Sequence, residues 1–561
     1  MPTARALAVG WLVAVLGGSG GLDRRAVLAA GLVAALFLAD QLVWSVLTPV
    51  AVLVGKRIDG ELRARLRTLA DHLPGLGDLE SQDFQDQAAR AVDSGMGIAR
   101  ERSAGTATTG QVELMFRLLS AGIAAALLAR FSPLLALGLL AVSLVIRAIV
   151  RRQWMGIIDK LDADTAGQRK EYYVSEQAVI GAAKDVRLFG LSEWFAGRFR
   201  AAAMRTYAPV YRELLAVLPR QWLIGLLTVG SAVAALAVPA AAVLGGRLDP
   251  AELITFVLAA WGVMAVGSMG QEAYDIEYGL RGVVAADELT KRYGPRQQPR
   301  PIAVDETTAP PVIRFEDVVF RYPGSDRPVL DGLTITLRPG ETVAVVGENG
   351  AGKTTFVKLL GGLYRPDAGR ITVDGVDLTA LDLAAWRRRL AVLFQDFVRY
   401  PADLRDNVTF AAPERTDDAA VRDALALAGG GDLPVDLDTS LWSEGAEGTD
   451  LSGGQWQRVA LARALFATSA GRQVLVLDEP TAHLDIRAEA EFHERVVSRV
   501  HHTTTVLISH RLSTVRPAGR IILLRDGRVA EDGTHEELLA LGGDYARFFT
   551  VQAETFRAGT S

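Results

Sequence analysis

The sequence predicts a multidomain chain in which an all-α helical membrane domain is joined to an α/β domain built on a phosphate-binding loop. Three observations predict it. Long apolar runs crowd into the residues before about 280, and ordinary soluble composition follows. A glycine-rich loop directly follows a short β-branched run in the second half. A proline-rich stretch separates the two halves. At 561 residues the chain exceeds one domain, since about 150 residues is a usual domain size. Half of the residues are hydrophobic, which excludes a disordered or fibrous chain. A net charge of −5 carries no nucleic-acid signature. The absence of cysteine excludes disulfides, thiolate metal sites and a cysteine nucleophile.

The membrane domain is read over 1–290. A spanning helix needs about 20 mostly apolar residues. Spans are expected at about 26–54, 112–129, 132–150, 222–245 and 252–272, with a partial one at about 5–18. Lys56 and Arg57 close the first full run. Arg130, Phe131 and the helix-breaking Pro133 mark the turn between the next two. The stretch GGRLDP at 245–250 hinges the last two. Two long polar stretches, Gly55 to Gly110 and Arg151 to Arg220, carry helix formers and apolar periodicity (Leu62, Leu66, Leu69; Val186, Leu188, Phe189). They are expected to continue the helices well beyond the bilayer. Lys56, Arg57, Arg63, Arg65, Arg67, Arg151, Arg152, Lys160, Lys170, Arg281, Lys291 and Arg292 all fall on that long-loop face, which makes it the cytoplasmic one. The run Ala6 to Leu16 is half a span and reads as the outer part of a first helix whose inner part is missing.

Charges within the apolar runs are costly, roughly 2.5–3.5 kcal/mol at a helix centre. Asp40 is therefore expected to face protein or a cavity, as a substrate or ion contact or as a helix–helix bond. Glu113 and Arg117 are spaced as an i,i+4 pair. Glu272, Asp275 and Glu277 read as the solvated inner end of the last helix.

Residues 291–312 contain GPRQQPRP and APPV and read as a linker, because proline at this density breaks helices. From 313 to 557 short β-branched runs alternate with turns and helical patterns. Thr342 to Val346 is a buried-strand run, and Gly347–Glu348–Asn349–Gly350–Ala351–Gly352–Lys353–Thr354 follows it. This is the G-x-x-x-x-G-K-[ST] pattern. Its glycines let backbone N–H groups close around phosphate oxygens at the start of the next helix, which begins near Thr355. Lys353 supplies charge for the outer phosphates and Thr354 a hydroxyl for Mg²⁺. A second strand run, Val474 to Leu477, delivers Asp478 and Glu479 to the edge of a parallel sheet. Asp478 is placed to hold Mg²⁺, and Glu479 to polarise an attacking water.

Between these motifs lies Leu451–Ser452–Gly453–Gly454–Gln455, and with LSGGQ the chain resembles the ATP-binding-cassette (ABC) superfamily. The other stations stand in order. The resemblance implies that Tyr322 in FRYPG stacks on adenine and that Gln395 in LFQD meets Mg²⁺ and the membrane-domain contact. It implies that AHLD at 482–485 is the loop after the catalytic strand and that His510 in ISHR contacts the terminal phosphate. Ser452, Gly453, Gly454 and Gln455 would serve the ATP of a second copy, opening a helix that faces phosphate. The layout of residues 1–290 is similar to the six-helix half-transporters of the exporters, with a truncated first helix. Two departures stand out. WSEGAEGTD at 442–450 replaces the T-x-V-G-E-like stretch, leaving Glu444 and Glu447 as candidates for its acid, and His483 stands where a small residue is commoner. Every catalytic position is intact, Glu479 included, so this chain does not resemble the weakened partner of heterodimeric exporters.

The resemblance thus implies an ATPase coupled to transport, with ATP and Mg²⁺ as cofactors and a second half-transporter as partner, in a homodimer or a heterodimer. Membrane lipid and a transported drug, lipid or peptide-like substrate complete the expected contacts, and no nucleic acid is expected. The chain would be multi-pass in the cell membrane with its cassette in the cytoplasm. Exporter-shaped importers of siderophores and a non-transporting regulatory ATPase are the alternatives.

Overall fold

The computed structural model describes residues 2–19, 23–73, 75–91, 103–162, 174, 182–294, 302–303, 309–415, 417–442, 448–481, 496, 502–509 and 511–558. The chain forms two compact units, Met1–Ala70 with Gln82–Gly294, and Asp71–Ser81 with Pro295–Ser561. Eleven helices are described in the first 294 residues: α1 (Pro2–Ser19), α2 (Arg24–His72), α3 (Leu76–Leu79), α4 (Gln82–Ala91), α5 (Ala104–Ala129), α6 (Pro133–Asp162), α7 (Ala183–Leu188), α8 (Ser192–Val217), α9 (Gln221–Leu244), α10 (Pro250–Met264) and α11 (Gln271–Tyr293). Short α3 clusters with the second unit.

In the helical unit α2 runs for 49 residues. At 1.5 Å per residue that is about 73 Å, more than twice the roughly 30 Å of a hydrocarbon core. Four helices are long and apolar enough to cross a membrane by length and composition: Arg24–His72, Ala104–Ala129, Pro133–Ile157 and Gln221–Leu244. Two further apolar helices, Thr3–Gly17 and Pro250–Met264, are shorter.

The expected last span, 252–272, is interrupted. Helix α10 stops at Met264 and α11 begins at Gln271. The intervening AVGSMG carries two glycines, and a helix end leaves backbone carbonyls without intrahelical partners. Arginines from two other helices take them. Arg117 on α5 donates to the Ser268 carbonyl (2.9 Å), and Arg147 on α6 donates to that of Val266 (3.4 Å).

The same break buries Glu272, which sequence reasoning had placed in solvent. Its side chain has no exposure and lies 3.1 Å from Arg117 and 3.5 Å from Arg147. Arg117 also pairs with Glu113 at 3.1 Å, so four charges gather where two helices meet a broken third. The physical reason is the glycine break, which turns the first residues of α11 inward and lets the arginines neutralise the acid. One Glu272 oxygen, Oε2, is buried without a hydrogen-bond partner among the described residues. Gly270 is required there, because a Cβ would lie 2.2 Å from that oxygen. Asp40 pairs with Arg5 of α1 at 3.2 Å. The polar residue inside the first full span is thus used as a bond between helices.

The inner part of the unit is braced by buried Asp59. It accepts from the Ser103 hydroxyl (2.6 Å) and the Gly105 N–H (2.8 Å) at the start of α5. Ser103 and Thr106 form a capping box there, which satisfies orphan donors of the first turn.

The second unit holds strands β1 (Ile313–Phe320), β2 (Leu330–Leu337), β3 (Thr342–Gly347), β4 (Ala368–Val373), β5 (Val376–Asp377), β6 (Leu390–Leu393), β7 (Val474–Asp478), β8 (Thr504–Ile508), β9 (Arg520–Arg525) and β10 (Arg528–Gly533). Its helices are α12 (Lys353–Leu360), α13 (Leu383–Arg387), α14 (Leu404–Thr409), α15 (Asp418–Leu427), α16 (Gly453–Ser469), α17 (Leu512–Val515), α18 (His535–Leu541) and α19 (Asp544–Ala558). An antiparallel sheet runs β2-β1-β4-β5, and a six-stranded sheet runs β10-β9-β3-β8-β7-β6. In the larger sheet β9, β3, β8, β7 and β6 are parallel. Strands β7 and β8 are buried throughout, as a parallel sheet covered on both faces requires. Phe315, Leu333, Phe356 and Trp386 fill the core between the sheets. The Trp386 indole N–H donates to the Leu360 carbonyl (2.8 Å), so this largest buried ring leaves no polar group unmet. Helices α14, α15 and α16 pack a second core around Val421, Trp456 and Phe466.

Glu272→Gln keeps the shape of the side chain but removes the buried charge that faces two half-buried arginines. Breaking a buried pair in this way costs on the order of 3 kcal/mol. Thermal melting of the detergent-solubilised protein should show a less stable helical unit, and an unchanged melting curve would mean that the cluster contributes nothing.

Candidate nucleotide-binding site

Strand β3 ends at Gly347, and the loop that follows can be built only with glycine at three places. Gly347, Gly350 and Gly352 have φ of 155°, 84° and 100°. A Cβ on Gly347 would lie 2.4 Å from the Leu524 carbonyl, and one on Gly352 would lie 2.5 Å from the Leu330 side chain. The loop is therefore threaded between β9 and β2 at a distance no other residue allows. Glu348, Asn349 and Gly350 form its exposed tip, and the Ala351 N–H turns back to the Glu348 carbonyl (3.2 Å).

Lys353 opens α12 and is folded back on the loop. Its Nζ donates to the carbonyls of Gly347 (2.8 Å) and Glu348 (2.9 Å). Burial lowers its pKa, while the nearby Glu479 and Asp478 carboxylates pull it the other way. The ammonium is thus held over a concave ring of backbone, ready to exchange two carbonyls for stronger anionic acceptors. The Thr354 hydroxyl donates to Asp478 Oδ2 (3.1 Å). Thr355 shares a hydrogen bond with the Tyr322 hydroxyl (3.0 Å).

Asp478 is the last residue of β7 and is buried. Burial pushes its pKa from 3.8 to about 6, with Glu479 adding to the rise and the Thr354 hydrogen bond and Lys353 opposing it. Glu479 follows with φ of 50°, a left-handed conformation that costs a non-glycine residue about 1 kcal/mol. Three hydrogen bonds hold it there. Its N–H donates to the Ile508 carbonyl (2.8 Å), its carbonyl accepts from Gln457 Nε2 (3.0 Å), and its carboxylate accepts from Gln395 Nε2 (3.1 Å). The strain therefore aims the Glu479 carboxylate toward the loop of Gln395.

Gln457 was missed by sequence reasoning. It lies two residues past LSGGQ on α16, and only the packing of α16 against β7 reveals that its amide steadies Glu479. Tyr322 lies edge-on to Phe320 and Tyr364, at 5.1 Å and 5.5 Å between ring centroids, with the Lys358 ammonium 5.4 Å from its ring centre. The structure thus brings Tyr322, the 347–355 loop, Gln395, Asp478 and Glu479 to one edge of the sheet.

Ser452, Gly453, Gly454 and Gln455 are used differently. Ser452 is the N-cap of α16, accepting from the Gln455 N–H while its own N–H donates to Gln455 Oε1 (2.8 Å). Among the described residues none of their hydrogen bonds reaches the 347–355 loop, and they present an exposed helix N-terminus instead. Asp450, also missed in the sequence, fixes that turn by accepting from the Trp456 indole N–H (2.9 Å). The expected roles of His510, AHLD at 482–485, His483, Glu444 and Glu447 fall on residues outside those described.

Residues 330–482 match the family described as ABC transporter. The chain is 43% identical over 252 residues to the mycobactin import ATP-binding/permease protein IrtB of Mycolicibacterium thermoresistibile, covering 44% of this chain and 42% of the relative. It is 38% identical over 244 residues to the ATP-dependent lipid A-core flippase of Thiobacillus denitrificans, covering 43% of this chain and 41% of the relative. The chain thus spans less than half the length of the curated relatives it matches. A solved structure described as a bacterial Atm1-family ABC exporter with ATP bound superimposes with a TM-score of 0.67 at 25% identity, covering 98% of this chain and 96% of that one. The expected fold class, a helical domain with apolar helices ahead of an α/β nucleotide-binding domain, is that of this exporter structure.

The raised Asp478 pKa fixes a stability profile. Below about pH 4 the carboxyl is protonated in folded and unfolded chains alike. Between about pH 4 and pH 6 only the unfolded chain ionises, so stability is lost as pH rises, by about 2–3 kcal/mol in total. Asp478→Asn removes that loss. In EDTA, its melting temperature should match the wild type at pH 4, rise above it up to pH 6 and keep a constant lead beyond. A lead independent of pH would show that burial of the charge is not the cause.

Proposed function

We propose that this chain, an ABC transporter domain fused to a helical domain with the fold of an Atm1-family exporter, is an ATP-hydrolysing half-transporter that moves a substrate across a membrane as a dimer. The observation that carries this reading is the convergence of Lys353, Thr354, Gln395, Asp478 and Glu479 at one sheet edge, in a chain that also carries four helices apolar enough to span a bilayer.

The loop amides of 347–355 would cradle the phosphates, and Lys353 would leave the Gly347 and Glu348 carbonyls for phosphate oxygens. Tyr322 offers its ring to the base. The Thr354 hydroxyl and the Asp478 carboxylate meet at 3.1 Å, a pair of hard oxygen donors that suits Mg²⁺, with the Gln395 amide oxygen as a further ligand. Bound there, Mg²⁺ would neutralise charge on the phosphates. Glu479 would orient the attacking water and accept its proton, its carboxylate steadied by Gln395 and its backbone by Gln457. The family pattern adds His510 at the terminal phosphate. LSGGQ caps a helix whose exposed N-terminus suits phosphate, and in a dimer it would close on the nucleotide of the partner.

The basic residues along the long-loop face support a multi-pass chain in the cell membrane with its nucleotide-binding domain in the cytoplasm. Export of a drug, lipid or peptide-like substrate is the first reading. Import of a siderophore-type substrate is the second, favoured by the 43% identity to a mycobactin import protein. With inside-out vesicles, ATP-dependent uptake of labelled lipids marks export and ATP-dependent release of preloaded ferric siderophore marks import, and the absence of any ATP-dependent movement would leave a regulatory ATPase.

Two outcomes test the machinery. Glu479→Gln should bind ATP normally and lose hydrolysis by about 10²-fold or more, leaving ATP-bound dimers on size exclusion. Near-normal turnover would remove Glu479 from its role. Ser452→Arg and Lys353→Ala chains, each inactive alone, should regain measurable ATPase when mixed, because one composite site of the mixed dimer escapes both lesions. No recovery would argue against shared sites.

A further inference from the structure

Helix α12 carries Lys353, Thr354 and Thr355 on its first turn, so the phosphate-binding loop is only as fixed as that helix. The helix is eight residues long, about two turns, and isolated helices this short are marginal in water. Its first N–H groups face the site, so its support has to come from packing and from its other end. Phe356, Val357, Leu359 and Leu360 are buried and supply the packing.

At the other end every carbonyl is taken. The last four carbonyls of a helix have no partner within it. Here the N–H groups of Gly361, Gly362 and Leu363 turn back to Val357, Leu359 and Lys358, each at 2.9 Å. Gly362 closes this turn with φ of 62°, and a Cβ on it would stand 2.8 Å from the Leu383 side chain. The remaining carbonyl of the helix and the two after it are taken by neighbouring residues of α13. The Trp386 indole donates to Leu360 (2.8 Å), and the Arg387 guanidinium donates to Gly361 from Nε (3.1 Å) and to Gly362 from Nη2 (2.8 Å).

Arg387 is the charged part of this closure. Burial lowers its pKa, so the surroundings by themselves disfavour the cation. The carbonyl end of a helix is the negative pole of its dipole, and the fixed fork of a guanidinium matches two neighbouring carbonyls. Helix α13 is itself firmly set. Asp382 caps its start by accepting from the N–H groups of Ala384 (2.9 Å) and Ala385 (3.1 Å), and Trp386 is fully buried. The two sides of the phosphate-binding loop thus have different supports. Strand β3 is held by a parallel sheet, whereas the far end of α12 is held by side chains from α13. A frayed last turn would be about half of α12 and would let the N–H groups of its first turn shift. Glu479 and Gln395 stand on other elements.

We propose that Arg387 is a positioning residue for the nucleotide, fixing the phosphate-binding loop from behind by closing the C-terminal end of α12. The proposal rests on the reading of this sheet edge as a nucleotide site, and it implies a defect confined to binding.

The test uses the full-length chain in lipid nanodiscs. Arg387→Met keeps an unbranched stem and removes the guanidinium, and Arg387→Lys keeps the cation without the fork. Arg387→Met should raise the KM for Mg-ATP about tenfold and leave kcat within about twofold, because two charge-assisted hydrogen bonds are lost from a group that touches no reacting atom. Arg387→Lys should recover part of the loss, with KM about threefold above that of the unchanged chain. Without nucleotide, hydrogen exchange at the end of α12 should be faster in Arg387→Met, with β3 unaffected. A role in stability alone would lower kcat with the folded fraction and leave KM in place. A KM within about twofold of the unchanged chain, a kcat that falls as steeply as KM rises, or unaltered exchange in α12 would overturn the assignment. If Arg387→Met folds poorly, the KM of Arg387→Lys carries the test, and an unchanged value overturns it. Unaffected variants of an active chain would overturn only the role of Arg387. Absence of ATP binding and hydrolysis from the unchanged chain would overturn the nucleotide reading as well.

Discussion

The chemistry at the nucleotide site depends on two parallel strands that end at the same level. Strand β8 lies between β3 and β7, and its last residue, Ile508, pairs with Val345 on one side and Asp478 on the other. That register puts the glycine loop and the acidic pair at one edge of the sheet. Parallel strands buried on both faces cannot slip by one residue without turning their buried side chains to the wrong face. The 3.1 Å contact of Thr354 with Asp478 is therefore set by a whole sheet of Val, Leu and Ile.

The same burial makes the edge electrostatically tense. Lys353 and Asp478 are both disfavoured as ions by the apolar sheet behind them, one pushed down and the other up. Backbone carbonyls and a hydroxyl satisfy them for now, and Glu479 is kept in a left-handed backbone conformation beside them. The anionic oxygens of the proposed nucleotide would offset the burial of the Lys353 ammonium.

Charge is handled differently in the helical unit, where polar groups are expensive unless paired. Asp40 is matched by Arg5, and Glu272 by Arg117 and Arg147. The second set does more than neutralise. By taking the Ser268 and Val266 carbonyls, the arginines make an interrupted helix tolerable at a place where free backbone groups would be costly.

What the sequence determined by itself was local. The apolar runs announced long helices, and α2, α5, α6 and α9 follow from composition. The strand Thr342–Val346, its glycine loop and the helix behind it were legible because positive-φ glycines, a β-branched run and a helix start are neighbours in the chain. Asp478–Glu479 was legible for the same reason, while the helix opened at Ser452 was expected only from the family resemblance. Tertiary structure decided what depends on residues far apart in sequence. It broke the last apolar run at Gly267–Gly270 and buried Glu272 on arginines more than a hundred residues away. It recruited Gln457 to steady Glu479, and it packed the segment 71–81 against Leu363 and Tyr364. Hydropathy and spacing report how a residue relates to its near neighbours. Whether a charge meets solvent or a partner is settled only when distant helices and strands close around it.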